Sequence, residues 1–118
     1  LKVKNLSLIG CTSLESLPAG LTVDRNLSLY GCTNLESLPA GLKVKDYLLA
    51  NGCTSLRSLP AGLVISGGLE LNHCTSLESL PNDLVVGSYL NLKFLFRHLI
   101  PHLRFELLLN LTHYFLNF

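Results

Sequence analysis

The four cysteines of this chain combine a reactive side chain with a regular spacing. Cys11, Cys32, Cys53 and Cys74 follow one another at intervals of 21 residues. Thiolates bind zinc, but the ligands of such sites usually come in close pairs such as Cys-x-x-Cys, which this spacing lacks. Stacked parallel side chains rarely reach the torsion that a disulfide needs. The spacing therefore predicts a ladder of buried structural thiols, with no metal and no cofactor, and free thiols favour a reducing, cytoplasmic compartment.

Carboxylates, which can act as catalytic groups, recur at the same interval. Glu15, Glu36 and Glu78 are in register, and Arg57 takes the place of the third glutamate in this series. Paired catalytic carboxylates need a pocket that raises one pKa, which an open surface does not offer. We expect an exposed run of ion pairs here instead. The sequence contains no Walker, Rossmann, hydrolase-elbow or zinc-protease motif, so no enzyme activity is predicted.

The composition excludes two broad classes of protein. Charged residues make up 14% of the 118 residues, and 31 residues are leucine, which is incompatible with a disordered polar chain. The formal net charge is +1, so there is no basic excess with which to bind the phosphates of a nucleic acid. We expect neither a nucleic-acid partner nor a membrane partner.

The cysteines mark a repeated unit, readable as L-x-L-x-G-C-T-S-L-E-S-L-P-A-G-L-x-V. The alternating L-x-L is typical of a short strand, and glycine before the cysteine permits a turn. Proline stops helix formation after the second leucine pair. One such coil cannot bury its apolar side chains alone, whereas stacked coils can. The predicted core is Leu6, Leu8, Cys11, Leu14, Leu17, Leu21 and their counterparts at 21-residue steps.

The unit resembles the leucine-rich-repeat family, whose core is L-x-L-x-x-N/C-x-L. The 21-residue length and the Leu-Pro step are similar to those of short bacterial or phage-type repeats. The resemblance implies a leucine-rich-repeat solenoid, an α/β-type repeat superhelix with short parallel β-strands and an irregular convex side. A protein-binding role follows only as a tendency of the family, because fold does not fix function.

Two regions are predicted. Residues 1–93 form a leucine-rich-repeat array of about five coils, and residues 94–118 form a degenerate apolar tail or cap, partly helical. The tail contains all five phenylalanines, and Leu95 stands where the next cysteine is due. It is interpreted either as a cap on the array or as a frame-shifted repeat, since the codons that could encode Leu95 and Phe96, read one base later, permit a cysteine at that position. Residues 107–118 are too short and too polar for a membrane span.

The variable positions around each predicted strand are the candidate binding site. Variation within a constant frame is what a contact surface on the concave face would show, and it is also what unconstrained surface positions show. Tyrosines are favoured contact residues. The candidates are Tyr30, Tyr47, Leu49, Asn51, Glu70, Asn72, Tyr89 and Asn91.

The function expected from this surface is that of a protein–protein recognition module, a fragment of a longer leucine-rich-repeat protein with an unidentified protein or peptide partner. Two alternatives remain open. The array is a purely structural spacer, or it is the substrate-recognition part of a bacterial effector enzyme whose catalytic domain lies elsewhere. Mutation of the tyrosines separates binding from packing.

Overall fold

The computed structural model describes residues 1–95 and the backbone of residues 115–117. Each coil contributes two very short strands, joined by a corner of two or three residues. The strands are β1 Lys2–Val3, β2 Leu6–Ser7, β3 Thr22–Val23, β4 Leu27–Ser28, β5 Lys43–Val44, β6 Leu48–Leu49, β7 Val64–Ile65, β8 Leu69–Glu70, β9 Val85–Val86, β10 Tyr89–Asn91 and β11 Phe115–Asn117.

All strand pairs are parallel and lie in two sheets. Sheet 1 has the order β1-β3-β5-β7-β9, and sheet 2 has the order β11-β10-β8-β6-β4-β2. In sheet 2, Leu6 pairs with Leu27, and each later step again advances by 21 residues until Leu69 pairs with Leu90. The chain is therefore a parallel β-solenoid of four complete turns, with the strands of a fifth coil begun.

The core lies inside this coil and contains the repeated leucines and cysteines that the sequence predicted, together with Val23, Val44, Ile65 and Val86, which it did not. Leu27, Leu48 and Leu69 are fully buried, as are Cys32, Cys53 and Cys74. In the first coil, Leu6, Leu8, Cys11 and Leu14 are only partly buried. In this structure the first coil is covered on one side, by the second coil, which accounts for the difference.

The side of the coil predicted to be irregular carries the strands of sheet 1. The segment Leu21-Thr22-Val23 alternates buried, half-buried and buried residues, which is the period of a strand with one inward face. Its copies pair in the same way, as in Val23 with Val44 and Val44 with Ile65. The predicted irregular convex side is thus wrong for this part of each coil. The Leu-x-Val alternation carried the signal.

A third side of the coil is held by a sparser ladder. The backbone N–H of Arg57 donates to the carbonyl of Glu36, and that of Glu78 donates to the carbonyl of Arg57. Only Ser37 and Ser58 form a bridge here within the described residues. Each coil therefore has three sides, two with strands and one with single inter-coil bonds.

The turn after sheet 2 uses the left-handed backbone region in every coil. Gly10, Gly31 and Gly52 have φ of 70°, 73° and 78°. His73 and Phe94 adopt φ of 63° and 71° at the equivalent positions, and their rings stack with centroids 4.0 Å apart. This conformation disfavours side chains with a Cβ, so the corner geometry is imposed by the stacked coils.

The fifth coil begins in the same way as the others. Leu95 is buried, and its N–H donates to the carbonyl of Leu92, as the N–H of Cys74 does to Leu71. Further along the chain, β11 pairs in parallel with β10, placing Phe115 opposite Tyr89. The predicted partly helical segment of the tail lies outside the described residues. Within the described part of the chain, no helix has the length and apolarity to cross a bilayer.

Candidate functional site

The candidate residues lie on the outer face of sheet 2 and along its two margins. Leu48 and Ala50 point into the core, so Leu49 between them faces outward, and Glu70 takes the equivalent place in the next coil. Alternation along the strand fixes this orientation. Tyr47 and Tyr89 come two residues before the outward residues of their coils, and Asn51 and Asn72 come two residues after those of theirs.

Glu70 is the centre of a hydrogen-bonded cluster. Asn51 Nδ2 donates to Glu70 Oε1 at 2.7 Å, and the Tyr89 hydroxyl donates to Glu70 Oε2 at 2.5 Å. The donors come from the coils before and after that of Glu70, so the cluster connects three consecutive coils. All three side chains are half-buried.

Tyr47 joins this cluster through its ring. The ring centroids of Tyr47 and Tyr89 are 6.2 Å apart, with the planes tilted by 38°. Gly68 stands between them in the intermediate coil, and a Cβ added there would lie 2.8 Å from Tyr89 Cδ1. The ring of Tyr89 therefore occupies the space that a side chain at position 68 would need.

The asparagines form a second set of inter-coil bonds at the margin of sheet 2. Asn51 Oδ1 accepts from the N–H of Asn72 at 2.9 Å, and Asn72 Oδ1 accepts from the N–H of Lys93 at 2.9 Å. On the opposite margin, Asn26 Oδ1 accepts from the N–H of Tyr47 at 3.1 Å. These amides complete backbone hydrogen bonding at the corners, which gives Asn72 a structural role.

The Tyr89 hydroxyl is difficult to ionise in this setting. Burial, followed by the hydrogen bond to Glu70 and the charge of that carboxylate, raises the pKa of Tyr89 to about 12. Its proton is therefore held on the phenol, where it serves as a donor to Glu70.

The other candidates are not part of the cluster. Tyr30 is 57% exposed and makes neither a side-chain hydrogen bond nor a ring contact with any described residue. Asn91 accepts a bond from the nearby N–H of Lys93 at 3.2 Å. Leu49 is half-buried next to Glu70 on the same face. Of the three predicted tyrosines, the structure thus brings two together and leaves Tyr30 apart.

The cysteine ladder serves the packing of the coils. Each buried thiol donates to a carbonyl of the preceding coil, as in Cys53 Sγ to Leu29 O at 3.1 Å and Cys74 Sγ to Ala50 O at 3.0 Å. Burial raises the pKa of the Cys32 thiol. All four cysteines are free. In the described part of the chain, no three His, Cys, Asp or Glu side chains group as metal ligands would.

The predicted run of ion pairs on the third side is not formed. Among the described residues, the one ion pair within 4.0 Å joins the exposed Lys2 and the half-buried Asp24. Glu36, Arg57 and Glu78 are connected through their backbones instead.

On sheet 1, a groove of about 320 Å³ is bordered by Thr22, Lys43 and Val64 among others.

Comparison of this chain with known proteins finds no match. No protein-family model, no curated protein and no solved structure matches the sequence.

Proposed function

We propose that this chain is a recognition module that binds a protein or peptide on the outer face of sheet 2, and that its coils are short leucine-rich repeats of a longer protein of that type. The L-x-L-x-x-C spacing supports the family assignment. The cluster of Tyr47, Asn51, Glu70 and Tyr89 supports the binding role.

The observation that carries the proposal is the convergence of Tyr47 and Tyr89 on one face. Two exposed or half-exposed tyrosine rings 6.2 Å apart, beside an outward-facing leucine, form an amphipathic patch. Aromatic anchors of this kind commonly contribute about 2 kcal/mol or more to an interface. Tyrosine also loses little conformational entropy on binding.

The dimensions of the patch favour an extended ligand. Parallel strands are separated by about 4.8 Å, so the three coils from Tyr47 to Tyr89 span about 10 Å along the solenoid. The rigid ladder beneath them fixes their separation before binding, which reduces the cost of ordering the site. A peptide segment of several residues fits this length.

The experiment uses a library of random dodecapeptides displayed on phage and selected on the full chain. We expect enrichment on the wild-type protein and its loss on Tyr47→Ala, because removing one ring removes half of the aromatic contact. Tyr30→Ala is the matched control, because Tyr30 is also an exposed tyrosine but lies outside the cluster, and it should retain binding. Circular dichroism melts check that the three proteins are equally folded.

The result that overturns the proposal is equal enrichment on wild type and Tyr47→Ala, or no enrichment on either. The array is then a structural spacer. If a longer form of the protein has a catalytic domain, peptides selected here that inhibit its action on a protein substrate assign the patch to substrate recognition. That outcome supports a binding role and specifies its use.

A further inference from the structure

We infer that the ligand of this patch presents an arginine side chain to the carboxylate of Glu70, beside the rings of Tyr47 and Tyr89. The inference rests on the proposed function and names the chemistry that its partner must supply. It is drawn from the unneutralised charge of Glu70, the free acceptor positions on its oxygens and the aromatic rings next to it.

Within the described residues, the charge of Glu70 has no cationic partner. No Lys, Arg or His nitrogen among the described residues lies within 4.0 Å of its carboxylate, and its two hydrogen-bond donors, Asn51 and Tyr89, are neutral groups. The side chain is half-buried, so solvent screens the charge only in part. A carboxylate held in this way attracts a cation more strongly than a fully exposed one.

The hydrogen bonds from described residues do not use all the acceptor positions of the Glu70 carboxylate. An ionised carboxylate has about four acceptor positions, two on each oxygen. Asn51 uses one on Oε1, and Tyr89 uses one on Oε2. One position on each oxygen remains, which is the arrangement that a bidentate guanidinium requires.

The rings of Tyr47 and Tyr89 also favour a planar cation. Cations are attracted to the faces of aromatic rings within about 6 Å, and arginine stacks on them more often than lysine does. Tyr89 donates to Glu70, so its ring and the carboxylate belong to one connected surface. Leu49, on the adjacent coil, offers apolar contact for the methylene groups of a long basic side chain.

The first test repeats the peptide selection with substitutions at position 70. We expect peptides enriched on the wild type to share an arginine, and their affinity to fall at least tenfold on Glu70→Gln, which keeps the size of the side chain and removes its charge. Glu36→Gln is the matched control, because it removes the same charge from a different side of the coil. Glu70→Lys should reverse the preference towards peptides that contain Asp or Glu.

The second test titrates the full chain with acetyl-Gly-Arg-Gly-amide and follows the carboxyl carbon of Glu70 and the ring carbons of Tyr47 and Tyr89 by NMR. The citrulline peptide is an uncharged control of nearly the same shape, and the lysine peptide tests the need for a planar cation. Saturable shifts with the arginine peptide, and at least tenfold weaker ones with the other two, support the inference.

The outcomes separate this inference from the proposed function. Peptides that depend on Tyr47 but bind Glu70→Gln normally, or lack a shared arginine, overturn the arginine inference and leave the recognition proposal standing. Arginine-dependent shifts at Glu70 without any peptide selection that depends on Tyr47 overturn the recognition proposal instead. Equal shifts with the arginine and citrulline peptides overturn the charge argument.

Discussion

Tyr47 and Tyr89 are 42 positions apart in the sequence and two coils apart in the solenoid, and yet their rings lie with centroids 6.2 Å from each other. Two parallel strand steps alone would separate equivalent atoms by about 10 Å. The rings approach because position 68, in the coil between them, is a glycine. It has no side chain to fill the space that the ring of Tyr89 occupies.

Substitution of Gly68 by alanine therefore changes the site more than the fold. A Cβ at this position would displace the ring of Tyr89, which is a flexible side chain and can move without shifting the backbone. We expect the melting temperature to change little, whereas the hydrogen bond to Glu70 and the contact with Tyr47 are lost. NMR shifts of the two tyrosine rings measure the effect, and unchanged shifts in Gly68→Ala would contradict the assigned role of this glycine.

The pH dependence of stability has a defined sign at Tyr89. Its pKa is raised to about 12 in the folded chain, mainly by burial, and an unfolded tyrosine ionises near 10. The folded state thus holds the proton more tightly, so this contribution to stability is complete below about pH 10 and is lost as the pH rises towards 12. Absorbance at the tyrosinate band should show one phenol that ionises late.

The variant Tyr89→Phe tests that assignment because it keeps the ring and removes the hydroxyl. The late phase of the absorbance titration should disappear, and the loss of stability between about pH 10 and 12 should become shallower. Tyr30→Phe is the control, since Tyr30 is exposed and makes no hydrogen bond to a described residue. A late phase that survives in Tyr89→Phe would assign the shift to another group.

The four thiols should react with alkylating reagents in two classes. Cys11 is partly exposed, whereas Cys32, Cys53 and Cys74 are buried and donate to carbonyls of the preceding coil. We expect iodoacetamide to modify Cys11 in the folded chain and the other three only as the coils open, because the reagent cannot reach a buried sulfur atom. Mass spectrometry of the peptides measures the four rates, and denaturant should make them equal.

Substitution by alanine should lower the free energy of unfolding by different amounts at Gly62 and at Gly67. Gly62 has φ of 74° with open space around it, so Gly62→Ala should cost about 1–2 kcal/mol from backbone strain alone. At Gly67, a Cβ would lie 2.7 Å from the carbonyl carbon of Asp46 in the neighbouring coil. Backbone must shift to admit it, and we expect Gly67→Ala to cost about 3 kcal/mol. Urea unfolding compares the two, and the reverse order would contradict the close approach at Asp46.

The sequence was sufficient for the parts of the fold that repeat. The 21-residue interval of the cysteines correctly predicted the parallel register and the buried positions at Leu27, Cys32 and Leu35. It did not reveal that the first coil is one residue shorter at the corner, so that Val3 pairs with Val23 at an interval of 20. An alignment on the cysteines does not show the length of each corner, and only the strand pairing does.

The candidate site was predictable in part, for a related reason. The columns of variable residues identified Tyr47, Glu70 and Tyr89 individually, since each stands at an outward or marginal position. Their contact depends on the direction in which long side chains lean between coils, and on the empty place at Gly68. A glycine in a column that otherwise holds asparagine and tyrosine was the available signal. A repeat alignment compares the residue types within one column. It does not show that two side chains of the column come into contact where the residue between them is glycine.

The inter-coil hydrogen bonds of sheets 1 and 2 run along the axis of the solenoid, as in the bond from Leu27 N to Tyr47 O. A force that pulls the two ends apart along this axis therefore breaks the hydrogen bonds of one coil boundary at a time. We expect low rupture forces and a regular series of extension steps. Each step should release one coil of 21 residues, or about 70 Å of extended chain, so the mechanical record would count the repeats directly.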